Sequence, residues 1–175
     1  MSGLVLSAFF HVFARASGSD TLLKPGARAP HFSLQTSDGG LLRSAAYIGK
    51  KPIVIYFYPK DETFGCTLES CAFRDSYEDF VAAGAEVIGI NADPVSSHRR
   101  FQAKYALPFI LASDVDRRTA RAYGVPEGPF GLAGRATFVI DQHGIVRDAF
   151  SSRIRVKRHV SRALDLVRRL VVESE

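Results

Sequence analysis

The sequence predicts an α/β sandwich, a central mixed β-sheet flanked by helices, with an N-terminal extension. Three observations lead there. Two runs, Ile53 to Tyr58 and Glu86 to Ile90, are continuously apolar and rich in β-formers, the pattern of strands buried on both faces. Strand and helix patterns alternate early, and an antiparallel pair follows late. A last helical pattern, from about Val156 to Val172, keeps its apolar residues 156, 160, 163, 164, 167, 170 and 171 on one stripe.

Residues 1–20 read as an extension and 21–175 as one domain. Leu4 to Ala14 is an apolar run, too short for the about 20 residues that cross a bilayer. Ala14-Arg15-Ala16 is similar to a small-residue cleavage site, yet no Lys or Arg precedes the run. Three readings stay open: a weak export or transit signal, an extra helix, or an extension of a cytoplasmic protein. The last is favoured, so a cytoplasmic location is expected, with an exported or organellar one as the alternative. Ser17 to Asp20 is a linker.

Within the domain, Phe32 to Leu34 and Leu41-Leu42 flank the hairpin turn signal Ser37-Asp38-Gly39-Gly40. Pro52 opens the first buried strand and Pro59 stops it. A helix then runs from Gly65 to Gly84, with Leu68, Ala72, Tyr77, Phe80 and Val81 toward the core. After the strand at 86–90, Ser96 or Ser97 caps a helix through Tyr105. A short strand covers Phe109 to Leu111, a helical segment Asp114 to Tyr123, and a glycine-rich loop 128–134. Strands at Arg135 to Ile140 and Ile145 to Phe150 enclose the turn Asp141 to Gly144. The whole order is that of a thioredoxin-like sandwich.

The hydrophobic fraction of 46% supplies a core without disulfide staples. The net charge is +5, and seven basic residues against three acids lie from Ser151 onward. That excess fits the solvated face of the last helix better than a nucleic-acid site. Gly128, Gly131 and Gly134 precede a strand, where a dinucleotide fingerprint opens a helix. The five histidines show no metal spacing, and His98 reads as a helix-surface residue. No cofactor, metal, nucleic acid or membrane partner is therefore expected.

The cysteines carry the chemistry. There are two, Cys66 and Cys71, too few for a disulfide framework or a four-cysteine zinc site. Cys66 lies where a buried strand has ended and a helix begins, and the free N–H groups of a helix start favour a thiolate, the nucleophilic form. A packing cysteine is expected further along, on the apolar stripe. Thr63, three residues earlier, can turn its hydroxyl toward the sulfur and hold a substrate hydroxyl; alone it would read as a helix cap. Five residues on a helix advance about 7.5 Å and turn about 140°. A disulfide needs Cα atoms within about 7 Å. Cys66 and Cys71 therefore cannot join until the first turn unwinds.

Pro59-x-x-x-Thr63-x-x-Cys66 resembles the peroxiredoxin active-site motif, and Tyr56 to Asp75 looks like its Q-type, or bacterioferritin-comigratory, subfamily. Leu23 to Phe32, Ser97 to Phe109 and Gly134 to Asp141 are similar as well, so the likeness spans roughly residues 22–172. It implies a thiol peroxidase acting on hydrogen peroxide and organic hydroperoxides. Cys66 would be the peroxidatic cysteine and Cys71 the resolving one, joined in an intramolecular disulfide that thioredoxin or a similar dithiol reduces. Arg135 matches the active-site arginine, Pro59 would shield the loop, and Glu69 would orient Arg135. The resemblance also implies a monomer or weak dimer. Phe64 stands where the family usually has proline, and its ring is expected to wall the site and favour organic hydroperoxides. A thioredoxin-type oxidoreductase expects Cys-x-x-Cys, which the spacing here does not match. A non-catalytic redox sensor is the third class.

Overall fold

The computed structural model describes residues 21–172, so the expected extension, its linker and the last three residues lie outside the described residues. The strands are β1 (Ser33–Thr36), β2 (Leu41–Arg43), β3 (Ile53–Phe57), β4 (Glu86–Asn91), β5 (Ile110–Ser113), β6 (Ala136–Ile140) and β7 (Val146–Ser151). The helices are α1 (Phe64–Asp75), α2 (Tyr77–Ala82), α3 (Val95–Tyr105), α4 (Arg118–Ala122) and α5 (Val156–Val172). The strands form one mixed sheet in the order β2-β1-β5-β4-β3-β6-β7. β3 lies between a parallel neighbour, β4, and an antiparallel one, β6. The thioredoxin-like sandwich is thus the observed fold.

β3 is buried along its whole length because both sheet faces are covered. Side chains alternate across a strand, so Val54, Tyr56 and the following Tyr58 pack with Phe73, Phe80, Phe101 and Val167 from α1, α2, α3 and α5. Ile53, Ile55 and Phe57 face the other side, against Tyr123, Phe138 and Ile140. Gly89 of β4 stands opposite Tyr56, where a Cβ would meet the ring at 2.7 Å and Leu111 at 2.8 Å.

Several expectations for the helices change; α3 begins at Val95 after Pro94, so Ser96 and Ser97 lie inside it and neither caps it. The single helix from Gly65 to Gly84 is two, interrupted at Ser76 (φ −107°, ψ 5°), where Asp75 and Ser76 favour a turn over a helix interior. The buried side of α1 is Cys66, Glu69, Ser70 and Phe73, at i, i+3, i+4 and i+7. Leu68 and Val81, expected inward, are 45% and 53% exposed. α5 follows its expected limits, and Val156, Val160, Ala163, Leu164, Val167 and Leu170 are buried as expected.

Candidate active site

The site forms where α1 begins beside the sheet. Thr63 leaves the loop in an extended conformation (φ −75°, ψ 149°), the helix starts at Phe64, and Cys66 is its third residue. Cys66 is only 1% exposed and opens the buried stripe of α1. A reactive and a packing position were expected to differ; here they coincide, because Arg135 reaches the sulfur on the core side of α1. Arg135 directly precedes β6, the strand paired to β3. Its Nη2 donates to Cys66 Sγ at 3.4 Å, and its Nη1 donates to Glu69 Oε2. Gly65 permits that approach, since a Cβ there would lie 3.1 Å from Arg135 Nη2.

Electrostatics follow from burial. Desolvation pushes the Glu69 carboxyl up to about 8, against the pull of Arg135. Burial also opposes the Arg135 charge, yet Glu69 and Cys66 beside it hold the guanidinium above its usual value. Behind Glu69 is a residue that the sequence did not single out. His159 of α5 is 1% exposed, with Nδ1 3.6 Å from Glu69 Oε1. Burial pushes the imidazole down to about 4, so the ring is neutral. Its Nε2–H then donates to Ser152 O at 3.0 Å, leaving Nδ1 to accept from the Thr137 hydroxyl at 2.8 Å. Only a stray histidine in an amphipathic pattern hinted at this role.

The other expected residues are less concentrated. The Thr63 side chain is exposed and donates to Lys60 O at 3.1 Å rather than to the sulfur. Cys71 is half-buried and unpaired on the same unbroken α1 as Cys66. Pro59 and Arg135 line a cavity of about 250 Å³ with Phe130, Leu132 and Ala133. Phe64 is 82% exposed and is not part of that wall, so the apolar surface beside Arg135 comes from the loop before β6. Arg117 Nη1 braces this loop through Glu127 Oε1 and Gly131 O, each at 2.6 Å. His98, expected on the surface, is fully buried because its Nδ1 bonds Asp61 at 2.9 Å.

The profile of the AhpC/TSA family matches residues 25–149, most of the chain. The chain belongs to the AhpC/TSA family. Within it, this chain is a peroxiredoxin of the Q type, a thiol-dependent peroxidase and therefore an oxidoreductase. It is 46% identical over 146 residues to peroxiredoxin Q, chloroplastic, of Populus jackii, covering 83% of this chain and 68% of the relative. The rice protein of the same name (Oryza sativa subsp. japonica) is 44% identical over 146 residues, covering 83% and 67%. Among solved structures, peroxidoxin BcpB from Mycobacterium tuberculosis superposes with a TM-score of 0.79 at 34% identity, covering 85% of this chain and 98% of that one. The Xanthomonas campestris bacterioferritin comigratory protein, studied for alkyl peroxide reduction, gives 0.73 at 34% identity, covering 80% and 92%. Peroxiredoxins of this family use peroxide substrates and thioredoxin-type reductants.

Proposed function

We propose that Cys66 is the peroxidatic cysteine of this peroxidase and that Cys71 resolves it. The observation that carries this reading is the contact of Arg135 Nη2 with Cys66 Sγ at a helix start. The thiolate attacks the terminal oxygen of a hydroperoxide. An S–O bond forms, the O–O bond breaks, and the departing alkoxide takes a proton and leaves as alcohol, or as water from hydrogen peroxide. Arg135 steadies charge on sulfur and then on the peroxide oxygens. The Thr63 hydroxyl gives its proton to Lys60 O, which leaves its lone pairs to accept the peroxide O–H. Pro59 shields this side of the site.

The sulfenic acid then condenses with the Cys71 thiol, forming S–S and releasing water. Five residues of intact helix separate the two, so α1 must open first. Thioredoxin or a similar dithiol returns both thiols by two exchange steps and is itself oxidised to a disulfide. A coupled assay with thioredoxin, its reductase and NADPH tests the scheme. Cys66→Ser abolishes turnover, while Cys71→Ser permits one oxidation and then stalls. Full turnover by Cys66→Ser refutes the assignment.

The plant relatives are chloroplastic by name, which favours the organellar reading of residues 1–20 over the cytoplasmic one. Fusing those residues to a fluorescent protein tests this: a cytosolic signal overturns it. The protein acts as a monomer, checked by its mass in solution.

A further inference from the structure

One buried charged cluster has no part in the chemistry above. Asp61 lies in the loop between β3 and α1, five residues before Cys66, and is 4% exposed. Its carboxylate collects four side-chain donors. Oδ1 accepts from Tyr58 Oη at 2.8 Å and from Asn91 Nδ2 at 3.0 Å. Oδ2 accepts from Ser97 Oγ at 2.8 Å and from His98 Nδ1 at 2.9 Å. Its backbone N–H donates to Asp93 Oδ2 at 2.7 Å. These donors come from the end of β3, the end of β4 and the first turn of α3, so one carboxylate fixes the loop to three elements. His98 Nε2 is buried with no hydrogen-bond partner among the described residues, so Asp61 is the ring's polar anchor. Burial works to raise the Asp61 carboxyl, yet the bonds from His98, Ser97 and Tyr58 hold it below the usual value.

The next residue shows what this anchoring does. Glu62 has φ +59°, the left-handed region that a non-glycine residue rarely occupies. Such a conformation persists only where its surroundings impose it. Asp61 fixes one side of Glu62, and the Thr63 bond to Lys60 O closes the other. The Glu62 ion pair with Lys104 is exposed and contributes little. From this turn the chain enters Thr63 and the first turn of α1, while Arg135 arrives independently from β6. The meeting of sulfur and guanidinium thus depends on the direction in which the loop launches the helix. The carboxylate also lies outside the segment from Cys66 to Cys71 that must open.

We propose that Asp61 is a positioning residue for peroxide reduction, its buried carboxylate imposing the left-handed turn at Glu62 and thereby aiming Cys66 at Arg135. The proposal rests on the assignment of Cys66 as the peroxidatic cysteine. Asp61→Asn keeps the size but sets amide hydrogens against Ser97 and His98; Ser97→Ala removes one donor. In the full-length protein, kcat/KM is measured separately for hydrogen peroxide and for thioredoxin, with near-UV circular dichroism to confirm the fold. Asp61→Asn is expected to lower kcat/KM for peroxide about tenfold, the scale of one charge-assisted bond. Ser97→Ala falls between it and wild type, and kcat/KM for thioredoxin stays within about twofold in both. Glu62→Asn added to Asp61→Asn restores part of the rate, since asparagine tolerates the left-handed turn. A loss of stability alone would not separate the two substrates or respond to residue 62 in this way. The idea is overturned if the folded variants keep peroxide kcat/KM within about twofold of wild type. Should Asp61→Asn not fold, Ser97→Ala decides by the same criterion. A wild-type protein that consumes no peroxide would instead refute the assignment of Cys66.

Discussion

Replacing Arg135 with methionine removes two interactions with different consequences. The bond from Nη2 to Cys66 Sγ is charge-assisted once the sulfur is ionised. Such bonds are worth about 1.5–3 kcal/mol, so kcat/KM for peroxide should fall roughly 10- to 150-fold. The second loss is the partner of Glu69, a fully buried carboxyl. Breaking one side of a buried pair costs about 3–5 kcal/mol. Proton uptake by a carboxyl already at about 8 relieves part of that cost, so the expected destabilisation lies near the lower end. Adding Glu69→Gln removes the stranded acid and should recover most of the stability but none of the rate. Peroxide kinetics and urea unfolding of the two variants separate the effects. A peroxide kcat/KM for Arg135→Met within about threefold of wild type would refute the electrostatic role. So would recovery of rate in the double variant.

Other outcomes follow from burial and close contact. Glu69 is raised from 4.5 to about 8, so its contribution to stability is complete below 4.5 and is lost as pH rises through about 8; Glu69→Gln should flatten that alkaline flank of the unfolding midpoint. His159 is lowered from 6.5 to about 4, so its contribution is present above 6.5 and is lost as pH falls through about 4. His159→Gln should flatten the acid flank, a difference on the order of 3 kcal/mol in unfolding free energy. Gly89→Ala drives a methyl group against Tyr56 and Leu111 in the closed core, and urea denaturation should show a loss of about 1–3 kcal/mol. Phe64→Pro should leave the ratio of rates on cumene hydroperoxide and hydrogen peroxide unchanged, because the ring faces solvent. Leu132→Ser, half-buried in the cavity wall beside Arg135, should lower that ratio.

The sheet was legible because Ile53 to Tyr58 and Glu86 to Ile90 are nearly continuous apolar runs, and α5 because its buried side is apolar apart from His159. α1 was misphased for the opposite reason. Its core side carries Glu69 and Ser70, so hydrophobicity pointed to Leu68, on the exposed side. Cys66, Arg135 and Glu69 could be named from a local motif and its likeness to a family, and the structure brings the three together. Asp61, His98 and His159 could not. Each looks like an ordinary surface residue in its own segment, yet Asp61 and His98 find each other across 37 positions and His159 meets Thr137 across 22. Long-range pairing of polar groups leaves no periodic trace in a chain.

The buried stripe of α1 also gives the protein an optical signal. Tyr56 bonds Ser70 at 3.0 Å and stacks on Phe73 at 4.5 Å, and Tyr58 stacks on Tyr56 at 5.2 Å. Ser70 lies inside the segment that the proposed Cys66–Cys71 disulfide would open, so oxidation by that route would free the Tyr56 hydroxyl and disturb the stack. The chain contains six tyrosines and no tryptophan, so nothing stronger masks their near-ultraviolet absorption and emission. Tyrosine light alone should therefore follow the redox cycle in real time, without a label.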